Sequence, residues 1–148
     1  MLLRVVCNIL QLMMGQMMIH ALARTPDLRS LTISEVQLMT AARLWIVMVK
    51  LGHNPLVAVT ERLGNPRTAA HLHLLMEEVG AAWPDPFCAA PPCCPRLSHD
   101  ETVLLDMVRV AGRGDRPGFD RLLQDLLAAD MRERLFLSAS VLSRTLVA

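Results

Sequence analysis

Apolar residues recur at three- and four-residue intervals along most of the chain, which is the period of an α-helix, and no segment alternates convincingly like a β-strand. The pattern predicts an all-α protein of about seven helices. Four precede a proline- and cysteine-rich stretch, at residues 2–23, 33–51, 54–64 and 67–79, and three follow it, beginning near Ser98, Phe119 and Asp130.

Short motifs mark where several of these helices begin and end. In a capping box, a hydroxyl and an acid satisfy two free backbone N–H groups reciprocally, and an Asn-Pro pair combines a favoured cap with a proline at the first helical position. The chain has capping boxes at Thr32/Glu35 and Ser98/Glu101, and Asn-Pro pairs at 54–55 and 65–66. Glycine residues are expected to end helices, among them Gly80 for the fourth helix.

Residues 81–97, which we call the strap, interrupt the helical pattern. The strap contains five of the nine prolines and three of the four cysteines. Because proline lacks an N–H and disfavours helix in the residue before it, the strap is predicted to be irregular. Trp83 and Phe87 are its expected anchors between the two helical halves. We expect one domain, residues 1–148, made of N-terminal helices (1–80), the strap (81–97) and C-terminal helices (98–148).

The first predicted helix, residues 2–23, is apolar around most of its circumference. Its polar positions fall on one narrow stripe, at Arg4, Asn8, Gln11 and Gly15. Such a helix is covered either by its own fold or by a partner. Its four clustered methionines, with Cys7 and His20 nearby, would also suit a soft ion such as Cu(I), although methionine more commonly fills cores and helix-binding grooves.

Composition excludes some functions. The net charge is +1, the aromatic share is 3% and tyrosine is absent, which argues against a surface that attracts and stacks nucleic-acid bases. No apolar stretch is long enough to predict a transmembrane helix. The irregular cysteine spacing favours reduced thiols and a cytoplasmic location. Secretion is the alternative, if residues 1–23 are a signal peptide, but polar residues interrupt that apolar region.

The strap cysteines are the most suggestive chemical feature. Cys88, Cys93, Cys94 and His99 have the composition of a tetrahedral zinc site, although the adjacent pair does not match the usual ligand spacing. Cys94 precedes a proline, which would extend its backbone and could present a thiol for exchange. The third interpretation is structural: small, soft side chains hold the strap against the helices.

The same region resembles a known family. The run Pro92-Cys93-Cys94-Pro95-Arg96-Leu97-Ser98, followed by Asp100-Glu101 and a leucine-rich helix, is similar to a segment of an uncharacterised bacterial family, a domain of unknown function. Its members are small, alanine- and leucine-rich helical proteins with a Pro-Cys-Cys segment. The resemblance implies a small bacterial helical protein and no catalytic residues.

Residues 54–80 resemble the helix-turn-helix of bacterial regulators, in which a glycine turn leads to a recognition helix. The expected recognition helix has Arg67 as its single cation, and Glu77 and Glu78 would repel phosphate. A buried His71–Met76 segment would argue against this function.

No catalytic constellation emerges from the sequence. Ser98-His99-Asp100 are contiguous, so their side chains diverge, whereas a catalytic triad is assembled in space. We therefore expect a non-enzymatic helical interaction or scaffold protein that binds a protein partner or a second copy through apolar helix faces. The alternatives are a DNA-binding regulator acting through 54–80 and a thiol- or metal-binding protein acting through Cys88, Cys93 and Cys94.

Overall fold

The computed structural model describes residues 25–146, and this part of the chain is helical. Its six α-helices are α1 (Ile33–Lys50), α2 (Pro55–Leu63), α3 (Pro66–Ala82), α4 (His99–Gly112), α5 (Arg116–Leu123) and α6 (Ala129–Leu146), preceded by a 3-10 turn at Leu28–Ser30. No β-strand occurs within residues 25–146. The all-α prediction is confirmed. About seven helices were predicted, and the first of these, residues 2–23, lies outside the described residues.

The predicted capping motifs are present. Thr32 N–H donates to the Glu35 carboxylate (2.9 Å) and Glu35 N–H donates to the Thr32 hydroxyl (3.3 Å), which completes the capping box of α1. The equivalent bonds between Ser98 and Glu101 begin α4. The side chains of the two Asn-Pro asparagines cap α2 and α3. Local sequence therefore determines where four helices start.

Two glycines behave differently at the ends of α2 and α3. Gly64 adopts a left-handed backbone with φ of 67°, and its N–H donates to the Thr60 carbonyl (2.8 Å), so it ends α2 as expected. Gly80 was expected to end the next helix, but α3 continues to Ala82. The helix ends instead at Trp83, whose extended backbone (φ −62°, ψ 132°) is the conformation favoured before Pro84.

Helix α3 is central to the packing. It lies against α6, α2 and α1, while α4 lies against α6, α5 and α1. Hydrogen bonds show that α3 and α6 are antiparallel, because Thr68 near the start of α3 bonds Thr145 (3.4 Å) and Glu78 near its end bonds Ser138 (2.5 Å). Fully buried residues from both sides of the strap form one apolar cluster, which includes Leu38, Leu72, Leu104 and Leu135.

Candidate functional site

The strap is held by a buried ion pair. Arg43 on α1 and Glu101 on α4 are 2% and 1% exposed, and two hydrogen bonds of 2.7 and 3.0 Å join them. The remaining N–H groups of this guanidinium donate to strap carbonyls, at Pro91 (3.3 Å), Cys94 (2.7 Å) and Arg96 (2.9 Å). Because the planar guanidinium offers five donors, one side chain satisfies a carboxylate and three backbone acceptors together.

Further contacts attach the strap at both ends. The segment before α1 pairs with it through Leu28 N–H to the Pro95 carbonyl (2.7 Å) and Leu97 N–H to the Pro26 carbonyl (3.1 Å). At the other end, the rings of Trp83 and Phe87 lie 5.6 Å apart and both pack, partly buried, against the core cluster. The prediction that these two aromatics anchor the strap is confirmed.

The strap thiols are free in the structure, with Cys88 and Cys93 exposed and Cys94 partly buried. His99 is also exposed, at the first position of α4. Within residues 25–146 no group of three or more His, Cys, Asp or Glu side chains is arranged to hold a metal ion. The structure thus does not assemble the predicted zinc ligands Cys88, Cys93, Cys94 and His99. Zinc binding stays a prediction from the sequence alone.

The suggested recognition helix corresponds to α3, and most of it is occupied by packing. Leu72, Leu75 and Met76 are buried, and His73 Nδ1 accepts a hydrogen bond from Trp45 Nε1 (2.9 Å). The exposed side of α3 carries one basic residue together with apolar and acidic ones, at Arg67, Ala70, Leu74 and Glu77. A DNA contact normally needs several donors directed at phosphates and base edges, so this exposed side does not favour the DNA-binding prediction.

A concavity lies where the start of α1, the second half of α4 and the end of α6 meet. We call it the α1–α4–α6 cleft, and it has a volume of about 530 Å3. Its apolar floor consists of Leu38, Leu105, Val108 and Leu146. Its polar lining consists of Thr32, Ser34, Glu35, Arg109, Ser143 and Arg144.

Gly112 shapes one end of this cleft. A Cβ atom at this position would lie 3.2 Å from the Cβ of Ser143, which is closer than side chains normally pack. The glycine therefore allows the end of α4 to approach α6 closely. This close approach sets the distance between two of the three walls.

An ion pair on the cleft lining joins α1 to α4. Arg109 Nε donates to Glu35 Oε1 (2.7 Å), and its Nη1 also contacts Asp106 (3.3 Å). The hydrogen bond from Arg109 lowers the pKa of Glu35 to about 2, although partial burial acts in the opposite direction. The same bond raises the pKa of Arg109. Of the described residues, no acid pairs with Arg144, whose Nε donates to the Ser140 carbonyl (3.2 Å).

We expect the Glu35–Arg109 pair to make part of the stability acid-sensitive. The pKa of Glu35 is about 2 in the folded protein and 4.5 ordinarily. The contribution of the pair to the free energy of unfolding is therefore complete above about pH 4.5 and is lost as the pH falls towards 2. Because Arg109 is 36% exposed, solvent limits this contribution to about 1 kcal/mol. The free energies of unfolding of the protein and of Glu35→Gln, measured with denaturant, should differ by this amount at pH 7 and become equal near pH 2. A difference that is independent of pH would contradict the assignment.

Comparison with known proteins identifies no relative of this chain. No protein family, no curated protein and no solved structure matches the chain. The resemblance to the Pro-Cys-Cys family stays a prediction. Within the described residues, no helix is both long enough and apolar enough to cross a bilayer.

Sequence reasoning missed the two features that organise this region. Glu101 was predicted only as a capping residue and Arg43 was assigned no role, yet the two form the buried pair beneath the strap. A single arginine within an otherwise apolar helical run was the available signal, because a buried charge needs a partner. The cleft had no such signal, since its lining comes from three separate helices.

Proposed function

We propose that the protein is a non-enzymatic interaction protein that binds one apolar helix of a protein partner in the α1–α4–α6 cleft. The observation that carries this proposal is the cleft itself, about 530 Å3 of open space above an apolar floor. Ligand sites typically enclose about 300–1,000 Å3, and amphipathic helices commonly lie with their apolar face in grooves of this kind.

The charges around the cleft indicate which helix it fits. Arg109 is matched by Glu35 and Asp106, whereas Arg144 has an exposed guanidinium with no acidic partner in residues 25–146. A partner helix with a carboxylate beside its apolar face would pair with Arg144 while its apolar side chains cover the floor. Complementary charge of this kind selects partners and sets their orientation more than it adds affinity.

The irregular cysteine spacing supports a cytoplasmic location as part of this proposal. The resemblance of the strap to the Pro-Cys-Cys family supports a bacterial origin.

The test compares two leucine substitutions on α6. Leu146 lines the cleft, while Leu137 is 56% exposed on the same helix and does not line it. The probe is a fluorescent amphipathic peptide of leucine and glutamate, titrated with the full-length protein by anisotropy. We expect saturable binding that Leu146→Gln weakens about tenfold, because an amide on the floor is buried without a partner. Leu137→Gln should leave the affinity unchanged.

Two further titrations examine the charge argument. Arg144→Gln should weaken the binding of the leucine–glutamate peptide by a few-fold, since an exposed ion pair contributes at most about 1 kcal/mol. A leucine–lysine peptide of equal length should bind less tightly than the leucine–glutamate peptide. Absence of saturable binding, or equal losses from Leu146→Gln and Leu137→Gln, would overturn the proposed function.

A further inference from the structure

We propose that a second concavity, between α1, α2 and the strap, binds a small aliphatic carboxylate. We call it the α1–α2–strap pocket, and it has a volume of about 340 Å3. It is lined by Thr40, Arg43, Leu44, Val47, Arg62 and Pro92. It shares no lining residue with the α1–α4–α6 cleft, so this inference is independent of the proposed function.

The walls of the pocket are apolar. Leu44 and Val47 follow Thr40 by four and seven residues on α1, so the three side chains lie on the same side of that helix. Leu44 and Val47 are half-buried, and Pro92 of the strap is exposed opposite them. The volume lies near the lower end of the range of about 300–1,000 Å3 that is usual for ligand sites, so it suits a small molecule.

The guanidinium of Arg62 is positioned at this pocket by α1. Arg62 Nη2 donates to the Thr40 hydroxyl (3.2 Å), which itself donates to the Val36 carbonyl one turn earlier (2.7 Å). The hydroxyl thus has its own hydrogen bond satisfied and accepts one from the arginine. No acid within residues 25–146 pairs with Arg62, so its other N–H donors are open to a ligand.

The second arginine of the lining is already occupied. The five N–H donors of Arg43 are used by the Glu101 carboxylate and by three strap carbonyls. Its charge is compensated by Glu101, and it has no donor left for a ligand. Arg62 is therefore the side chain of this lining that can bind an anion.

These two features select the chemistry of the ligand. A guanidinium is a planar fork of donors whose geometry matches a carboxylate, and charge-assisted bonds of this type are among the stronger hydrogen bonds. The wall of Leu44, Val47 and Pro92 covers an aliphatic chain. A ligand with a carboxylate and such a chain uses both features, whereas an inorganic anion or an uncharged aliphatic molecule uses one.

Titration of the full-length protein with octanoate, followed by calorimetry, tests the site. We expect saturable binding that Arg62→Met weakens about fivefold, the upper limit for an exposed ion pair. The matched control is Arg67→Met, because Arg67 is also exposed but does not line the pocket, and its affinity should be unchanged. Octanol, which lacks the charge, should bind about fivefold more weakly than octanoate. Acetate, which lacks the chain, should bind more than about tenfold more weakly.

The other cleft also combines an arginine with an apolar floor, so the experiment must separate the two. Arg144→Gln should leave the affinity for octanoate unchanged, and Arg62→Met should leave the affinity for the leucine–glutamate peptide unchanged. Absence of saturable octanoate binding, or equal losses from Arg62→Met and Arg67→Met, would overturn the inference. A loss caused by Arg144→Gln in place of Arg62→Met would also overturn it.

The strap thiols supply a second readout of the location. Cys94 N–H donates to the Pro91 carbonyl (2.9 Å), which closes a turn with Pro92 and Cys93 at its centre. A ligand packed against Pro92 therefore also restricts the exposed Cys93. Saturating octanoate should slow the alkylation of Cys93 by N-ethylmaleimide severalfold, measured by peptide mass spectrometry, and leave the equally exposed Cys88 unaffected. Equal rates with and without octanoate at Cys93, or equal slowing of both thiols, would overturn the assignment to this pocket.

Discussion

Replacing Glu101 with glutamine should lower the free energy of unfolding by about 3–5 kcal/mol, because it leaves the Arg43 guanidinium buried without a counter-charge. Glutamine can still accept the Ser98 N–H bond of the capping box, so the substitution isolates the ion pair from the helix cap. Urea unfolding followed by circular dichroism measures the change. Domains of this kind are stable by about 5–15 kcal/mol, so the loss is a large share of the total.

The matched control is Glu133→Gln. Glu133 also pairs with an arginine, Arg116, but its side chain is 54% exposed. Exposed ion pairs contribute at most about 1 kcal/mol, so the free energy of unfolding of this variant should lie close to that of the unsubstituted protein. Adding Arg43→Met to Glu101→Gln should recover part of the stability, because no unpaired charge is then buried. If Glu101→Gln costs no more than Glu133→Gln, the buried pair does not hold the fold as described.

The strap should loosen with the same substitution. Arg43 donates to the carbonyls of Pro91, Cys94 and Arg96, and its position depends on Glu101. Limited proteolysis of Glu101→Gln under native conditions should cut within residues 84–97 before it cuts the helices. Local opening of this kind has a lower free energy than global unfolding.

Replacing Phe119 with alanine should also lower the free energy of unfolding by about 3–5 kcal/mol, the usual range for truncating a fully buried phenylalanine. Phe119 is 0% exposed, and its ring meets that of Phe136 edge-on with centroids 5.2 Å apart. It thereby connects α5 to α6. Phe119→Leu, which keeps much of the volume, should cost less than about 1.5 kcal/mol.

This variant also tests whether the two helical halves unfold as one domain. Both tryptophans precede α5: Trp45 lies on α1 and Trp83 directly follows α3 at the start of the strap, whereas Phe119 lies on α5, after the strap. If the halves form one cooperative unit, the tryptophan fluorescence transition and the circular dichroism transition should move together to lower urea concentration. A fluorescence transition that stays in place while circular dichroism shifts would show two separate units.

Local chemistry made much of the helix layout predictable. A capping box needs residues three positions apart, and an Asn-Pro start needs only neighbours, so Thr32, Ser98, Asn54 and Asn65 could be identified without coordinates. Gly80 shows where such reasoning fails. A glycine permits a helix to end but does not force it, and the proline at position 84 had the stronger effect.

The predicted functional sites were less accessible to sequence reasoning than the helix starts, because each site depends on side chains that meet across the fold. Cys88, Cys93, Cys94 and His99 are close in the sequence, but Cys94 is partly buried while the other three are exposed. Within residues 25–146 they form no group arranged to hold a metal ion. The expected recognition helix was identified as a helix, yet its buried side was decided by packing against α6 and α2.

The sequence by itself determined the all-α class, the start of most described helices and the position of the irregular strap, since these follow from hydrophobic period, caps and prolines within a few residues. Only the tertiary structure decided that Arg43 meets Glu101, 58 positions away, and that three helices enclose an open cleft. The physical reason is that such contacts depend on how all the helices pack together. Packing sums many weak, non-directional apolar contacts, and no short stretch of sequence specifies that sum.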